Sequence, residues 1–555
     1  MPFLDDTPCT RPRYQPILKL EYDHPAKGFI VWTKKGSPCL DSFLKLYGQP
    51  LVARRDHFEY YVPEIYYTPL LEVARACHWT GDVGEFWQRE DAPPWEVGVP
   101  TKVTVGGTTL RPYQAPAVQA LMQGSLILGD DMGLGKTLSV LQAFSSIAVN
   151  QLIVIVPNDD VAGDWLKCLS EHFADCFTSR VITNRQQLKE PPATVTLIPY
   201  SKVWREGYFQ HLAERAPLAV LVVDEGHRVS RSGSRQHRGV YDLACLARGV
   251  WILSGTEVSN TPDQYFGMYK LIRRPEWTSF PHVKPQPLGE KAWIQYFRDT
   301  TQRNQWNAER LADLRELRQG FALRRTKEEV QRDLPPLTIL TAHCDMDEVT
   351  RKIYRDLERE CEAELMRHGN PEVLKEDHFW VIYLRLIQLC SHPMLLGEER
   401  VPVPNKWGRM EEILDECAGS QQVGIWSNFP RTIEWLAERV RACYPWLTVE
   451  TAHGGVSKED RARIKAGVQA GEVDVFIANP AIWGEGVNLQ AVSVGIYWDH
   501  HPSLVRRKQS QARFHRMGQT KAVTLYDLAY RNSVDTKLLD WLNEKGRLAR
   551  LITGN

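Results

Sequence analysis

Net charge is the first thing this chain lacks. Its 68 Lys plus Arg balance 68 Asp plus Glu across 555 residues, so no global field points to a polyanion or a membrane surface. Any basic surface has to be local. Zinc-type cysteine spacing is missing too: the 11 cysteines contain no C-x-x-C pair, and the closest two, Cys168 and Cys176, are spaced for no common zinc site. Reduced thiols are expected, not a disulfide framework. No apolar run approaches bilayer-spanning length, and MPFLDDTPCTRPRYQP at the start has no signal-peptide core, so a cytoplasmic location is expected. What the chain does have is length, enough for roughly three to four ordinary domains, each able to bury a core.

The stretch Gly129 to Thr137, GDDMGLGKT, organises the rest. It follows the apolar run Leu126-Ile127-Leu128 and precedes Leu138, Leu141, Phe144 and Ile147 at helical spacing. Strand, glycine loop and helix in that order form a phosphate-binding layout. Gly133 and Gly135 tolerate the backbone angles that turn N–H groups inward, and the helix N-terminus adds positive field where phosphates sit. Asp131, Met132, Gly133, Leu134 and Gly135 are the expected cradle, Lys136 the ligand of the β- and γ-phosphates, and Thr137 that of a Mg2+ ion. Asp130 departs from the strict pattern, which has Gly six residues before the lysine.

The first hundred residues lack the strand-helix alternation found later. KGFIVWTKKG and DHFEYYVPEIYY read as strands, SFLKLYG and LLEVARACHW as helical pieces, giving a small α+β module over 1–100. Its Trp32, Lys34, Lys35, Tyr60 and Tyr61 either engage nucleic acid or fill a small core. From Val103 the pattern changes. LIVIVP, VTLIPYS, LAVLVVDEGH and VWILSGT are continuous apolar runs, as parallel strands buried on both faces are, so a doubly wound α/β lobe is expected over 103–275. Ligands of such sheets sit at the strand carboxyl ends, where Lys136, Asp224, Glu225 and Ser254-Gly255-Thr256 fall. A carboxylate at Asp224 suits Mg2+, and Glu225 beside it suits orienting or deprotonating the attacking water. Between 276 and 400 charged helical segments take over, NAERLADLRELRQGFALRRTKEEV among them, with a linker at Leu334-Pro335-Pro336. Arg324 to Lys327 either contact phosphates or close a helix C-terminus. A second lobe over 401–555 reads as strands at QVGIWS, EVDVFIANP, VSVGIYWD and AVTLYDLAY, and carries no phosphate loop.

LRPYQ, GDDMGLGKT, DEGH, LSGT, FALRRTKEEV, LCSHP, GEGVNLQ and QSQARFHRMGQT occur in that order. With them the chain from Val103 onward resembles the Swi/Snf-like branch of helicase superfamily two, and looks most like its compact annealing-helicase, fork-remodelling type. The resemblance implies two RecA-like lobes with helical insertions, ATP and Mg2+ as cofactors, and a monomeric translocase on double-stranded or branched DNA. Arg513 and Arg516, three residues apart on what reads as one helix face, would be arginine fingers on the γ-phosphate. Arg111 and Gln114 would sit by the adenine. Gly484, Glu485 and Gly486 would sense nucleotide and DNA, or form a structural turn. A translocase needs phosphate contacts and not base contacts. The candidates are His227, Arg228, Arg231 and Arg235 after the acidic pair, Ser254, Thr256, His453-Gly454-Gly455 and Asn488.

There are departures. Gly226 stands where the branch commonly has Ala, Ser230-Arg231 where it often has a basic-Asn pair, and Glu257 where it has Pro. No nuclease cluster and no histone-reading module is recognisable, so work on forks or junctions is expected ahead of chromatin remodelling. An ATP-gated DNA clamp and an RNA helicase are the alternatives. The compact size fits a bacterial or phage protein.

Overall fold

The computed structural model describes residues 110–553 apart from 217–218, 232, 256–261, 273–292, 294–295, 298–306, 331–333, 369–376, 484–488 and 517. Before them it describes four strands between residues 17 and 63. Those four, β1 (Ile17–Asp23), β2 (Gly28–Thr33), β3 (Gln49–Ala53) and β4 (Phe58–Pro63), pair antiparallel in the order β1-β2-β4-β3. β2 and β4 fall in the two stretches that read as strands. The pieces that read as helices, and the side chains of Trp32, Lys34, Lys35, Tyr60 and Tyr61, lie outside the described residues.

The next strands are β5 (Leu126–Leu128), β6 (Gln151–Val156), β7 (Ser179–Val181), β8 (Val195–Pro199), β9 (Ala219–Val223), β10 (Gly249–Leu253) and β11 (Ala322–Leu323). They form one sheet, order β11-β5-β10-β9-β6-β8-β7, with every neighbouring pair parallel. The runs that read as continuously apolar are the central strands, and β8, β9 and β10 are buried along their whole length. Helices α1 (Gln114–Met122) and α2 (Lys136–Ser145) cover the phosphate-loop strand, sharing a core of Ala117, Leu121, Val140, Leu141 and Phe144.

One expectation is corrected here. The stretch ending in FALRRTKEEV reads as continuous helix, but the helix Ala308–Gln319 stops before Gly320 and the chain becomes β11. The amides of Ile127 and Gly129 donate to the carbonyls of Phe321 (2.9 Å) and Leu323 (2.7 Å). The open edge of β5 needs acceptors, and this segment supplies them.

The second sheet contains β12 (Leu337–Cys344), β13 (Val423–Trp426), β14 (Val449–Ala452), β15 (Val475–Ala478), β16 (Val494–Tyr497) and β17 (Val523–Tyr530). Its order is β12-β17-β16-β13-β15-β14, again parallel throughout. Successive residues serve opposite faces, as the two-residue period requires. Val475 and Ile477 join a core with Trp407, Met410 and Leu436, while Phe476 and Ala478 join one with Ile464, Trp483 and Phe514. The chain is thus an α/β protein with two doubly wound parallel-sheet lobes. By internal contacts the chain divides into two compact units at Arg324/Arg325, with Asp131–Leu134 grouping with the second.

A buried polar joint explains the LCSHP signature. Asp499, just after β16, accepts from Ser391 Oγ (2.8 Å), Ser427 Oγ (2.5 Å), the Asn428 amide (2.9 Å) and Asn428 Nδ2 (2.7 Å). Trp498 Nε1 donates to the Ser391 carbonyl (2.8 Å), and His392 Nδ1 accepts from the Met394 amide (3.1 Å). The helix Asp377–Ser391 is thereby tied to the second sheet, and His392 caps the short helical turn Pro393–Leu396 that follows it.

Candidate active site

The phosphate loop owes its shape to two glycines in the left-handed region, Gly133 at φ +89° and Gly135 at φ +76°. Space reinforces the second: a Cβ on Gly135 would lie 2.5 Å from Gln114 Nε2. Gln114, nearly fully buried, accepts from the Arg111 amide (2.9 Å) and donates to the Gly135 carbonyl (3.4 Å). It therefore braces the loop itself. Lys136 starts α2, and its Nζ donates to the Asp130 carbonyl (2.7 Å). Asp130, which breaks the strict pattern, is buried and supplies that acceptor with its backbone.

Asp224 and Glu225 follow β9 at the strand's carboxyl end. Both Asp224 oxygens accept hydrogen bonds, Oδ2 from Trp165 Nε1 (2.9 Å) and Oδ1 from the Glu225 amide (2.9 Å). Burial, and after it the neighbouring Glu225 carboxylate, push the Asp224 carboxyl up to about 6, against the Trp165 indole and the Lys136 ammonium, which pull it down. Tyr200 holds the backbone by donating to the Asp224 carbonyl (2.6 Å), and burial raises its phenol further out of the titrating range. Glu225 sits at φ +50°, one of two non-glycine residues in the left-handed region among the described residues. Strain of this kind is tolerated where the surroundings over-determine the conformation. His227 Nδ1 lies 3.2 Å from Glu225 Oε2.

Gly226, the departure in DEGH, has a steric cause. A Cβ there would meet Ile252 Cγ2 at 2.3 Å and Met268 Sδ at 3.4 Å. Gly226→Ala is expected to cost about 1–3 kcal/mol through overpacking. Ile252→Ala in the same chain opens that space, so the double variant should lose less in urea unfolding than the two single losses added together.

Arg228 and Arg231 are exposed beside the acidic pair, and Gly454 is exposed after β14, whereas Ser254 is fully buried with its amide on the Leu128 carbonyl (3.1 Å). Thr256, Gly484, Glu485, Gly486 and Asn488 lie outside the described residues. The expectation that Arg513 and Arg516 share a helix face is corrected. The helix Leu504–Phe514 ends with Arg513 in its last turn, and Arg516 follows in a loop, because His515 leaves helical geometry (φ −99°, ψ 87°).

Within the second unit, the Asp131 amide donates to the Arg325 carbonyl (3.0 Å) and the Lys327 amide to Asp131 Oδ2 (3.2 Å). The buried Lys327 ammonium donates to the His515 carbonyl. A Cβ on Gly133 would lie 3.8 Å from Arg516 Cβ. Arg325 and Lys327 are thus bound to the loop, not at a helix C-terminus. Trp165 and Tyr200 escaped the sequence reading. The signal for Trp165 was weak but physical, since a buried indole N–H has to find an acceptor.

The SNF2-related domain family matches residues 67–395, more than half of the chain. The chain belongs to that family. The helicase conserved C-terminal domain matches residues 405–518 of the same SNF2-related chain. The chromodomain-helicase-DNA-binding protein 1-like of Danio rerio is 25% identical across 80% of this chain and 45% of its own length. The ISWI chromatin-remodeling complex ATPase ISW1 of Saccharomyces cerevisiae is 24% identical across 80% of this chain and 40% of its own. The SNF2-related chain therefore spans less than half the length of these relatives. Among solved structures, the Sulfolobus solfataricus SWI2/SNF2 ATPase core in complex with dsDNA is similar at 21% identity, covering 83% of this chain and 96% of that one, with a TM-score of 0.38.

The residues fit ATP with Mg2+. The glycine cradle excludes side chains, Lys136 supplies a cation, and Thr137 and Asp224 supply oxygen ligands of the kind Mg2+ takes alongside phosphates. Among the described residues no cluster of three His, Cys, Asp or Glu forms a self-sufficient metal site. No helix among them is long and apolar enough to cross a membrane.

Proposed function

We propose that this chain is a Mg2+-dependent, DNA-stimulated ATPase that moves along double-stranded DNA as a monomer and remodels forks or junctions. The observation that carries the reading is that Lys136, at the start of α2, acts on the braced Asp224-Glu225 pair at the carboxyl ends of one parallel sheet. Lys136 exchanges the Asp130 carbonyl for the β- and γ-phosphates. Thr137 and Asp224 hold Mg2+, which when bound neutralises charge on the phosphate oxygens. Glu225 orients the attacking water, and Arg513 and Arg516 stabilise charge on the γ-phosphate. Arg228 and Arg231 take DNA phosphates, as does the backbone at Gly454, without reading sequence. Arg111 and Gln114 place the base, Gln114 through its hold on the loop.

ATP hydrolysis measured with blunt, forked, four-way and single-stranded DNA and with RNA tests this. Duplex-containing DNA is expected to stimulate turnover, branched DNA most, with Lys136→Ala inactive on all of them. Wild-type turnover by Lys136→Ala would refute the site. Activation by RNA alone makes the enzyme an RNA helicase, and hydrolysis without displacement of a triplex strand makes it an ATP-gated clamp.

A further inference from the structure

Among the described residues of the first unit, one large apolar side chain stands exposed: Trp204, at 38%. It has cationic company. The Arg205 guanidinium lies 5.7 Å and the Arg235 guanidinium 5.5 Å from its ring centroid, both within cation–π range. Arg205 and Arg235 are themselves exposed, as is Arg185, whose guanidinium carbon would lie 3.8 Å from a Cβ on Gly207.

The base of this cluster is fixed. Trp204 ends the short helix Tyr200–Val203, which Tyr200 ties to the Asp224 carbonyl and Lys202 ties to the carbonyls of Ile182 (3.2 Å) and Thr183 (2.5 Å). Behind it, the helix Arg235–Leu246 approaches so closely at Gly239 that a Cβ there would come within 3.0 Å of Trp204 Cα and Cβ. The indole is presented on a rigid support one short helix away from the acidic pair.

Cations alone are enough to follow a duplex backbone. An exposed indole adds nothing there, because paired bases keep their faces inside the stack and present only edges in the grooves. An unpaired base has a free face, which aromatic rings and guanidinium planes both accept regardless of sequence. We propose that Trp204, with Arg205 and Arg235, is a stacking platform for unpaired bases in a single-stranded arm of the DNA. The inference rests on the reading of the chain as a DNA motor, and narrows its substrate to DNA that carries such an arm.

Fluorescence anisotropy with equal-length single-stranded, forked and blunt-duplex DNA tests it, on wild type, Trp204→Ala and Trp204→Phe. Trp204→Ala should weaken single-stranded and forked binding by about 5- to 100-fold and blunt-duplex binding by less than about twofold. Trp204→Phe, which keeps a ring, should restore most of the loss, and equal melting temperatures exclude a folding defect. Equal loss on all three DNAs, or no loss on forked and single-stranded DNA, overturns the platform. Unchanged DNA binding with lost binding of a polyglutamate peptide also overturns it and assigns the patch to an acidic protein. Failure of the wider reading looks different: wild-type ATP hydrolysis would then respond to no DNA at all.

Discussion

Arg516→Ala is expected to bind ATP normally and to hydrolyse it on the order of 10³- to 10⁵-fold more slowly with DNA present. Phosphoryl transfer leaves the protein little covalent chemistry to perform, so a guanidinium brought to the γ-phosphate oxygens acts on the transition state far more than on bound ATP. The segment that carries Arg516 is built to hold it still. Phe514 before it is fully buried, and His515 Nε2 meets the Pro335 carbonyl at 2.8 Å. After it, the buried Gln519 donates to the carbonyls of Val492 (3.0 Å) and Phe514 (3.3 Å). Arg516→Lys should not rescue turnover, because a lysine lacks the planar fork that meets two oxygens at once. Nucleotide binding is read with a fluorescent ATP analogue and chemistry in single turnover. A normal single-turnover rate in Arg516→Ala removes the finger role, while a loss confined to binding reassigns the residue to ground-state contacts.

Lys406→Ala should be the most destabilising of the single changes considered, at about 3–5 kcal/mol in denaturant unfolding. Lys406 and Asp535 are both fully buried, 2.7 Å apart. The lysine also donates to the Trp498 carbonyl (3.1 Å), and Asp535 Oδ2 accepts from the Tyr530 amide (3.1 Å). The pair joins the helix Lys406–Cys417 to the C-terminal helix Val534–Thr553. Burial works against the ammonium, but Asp535, together with the neighbouring Cys390 and Cys344, outweighs it and holds Lys406 above its ordinary value. Removing the lysine strands a carboxylate in the core. Lys406→Met combined with Asp535→Asn removes both charges and keeps an acceptor for the Tyr530 amide, so it should recover more than half of the loss. A single-variant loss below about 1 kcal/mol, the range of a surface pair, would show that the joint bears no such load.

Some parts of this molecule announce themselves locally. Two-faced burial is written into a strand as a continuous apolar run, which is why β6, β8, β9 and β10 were legible. Glycines at φ +89° and +76° mark the phosphate loop, because other residues rarely adopt those angles. The acidic pair was readable from its place after such a run. The arginine pair was readable as a motif but not as a geometry: its three-residue spacing suggested a shared face, and the helix ends between the two.

The amino-acid sequence by itself determined the α/β class, the two lobes, the phosphate loop and the acidic pair, since each has its cause within a few residues. Only the tertiary structure decided what depends on a distant neighbour. β11 is a two-residue strand with no periodicity to read, and it exists because β5 has an open edge. Trp165 serves Asp224 from 59 residues away. Gly226 is glycine because Ile252 fills the space above it, and Lys406 can be buried because Asp535 meets it there. Hydrogen bonds, steric exclusion and ion pairing act over a few ångströms, and only folding decides which residues come within that range.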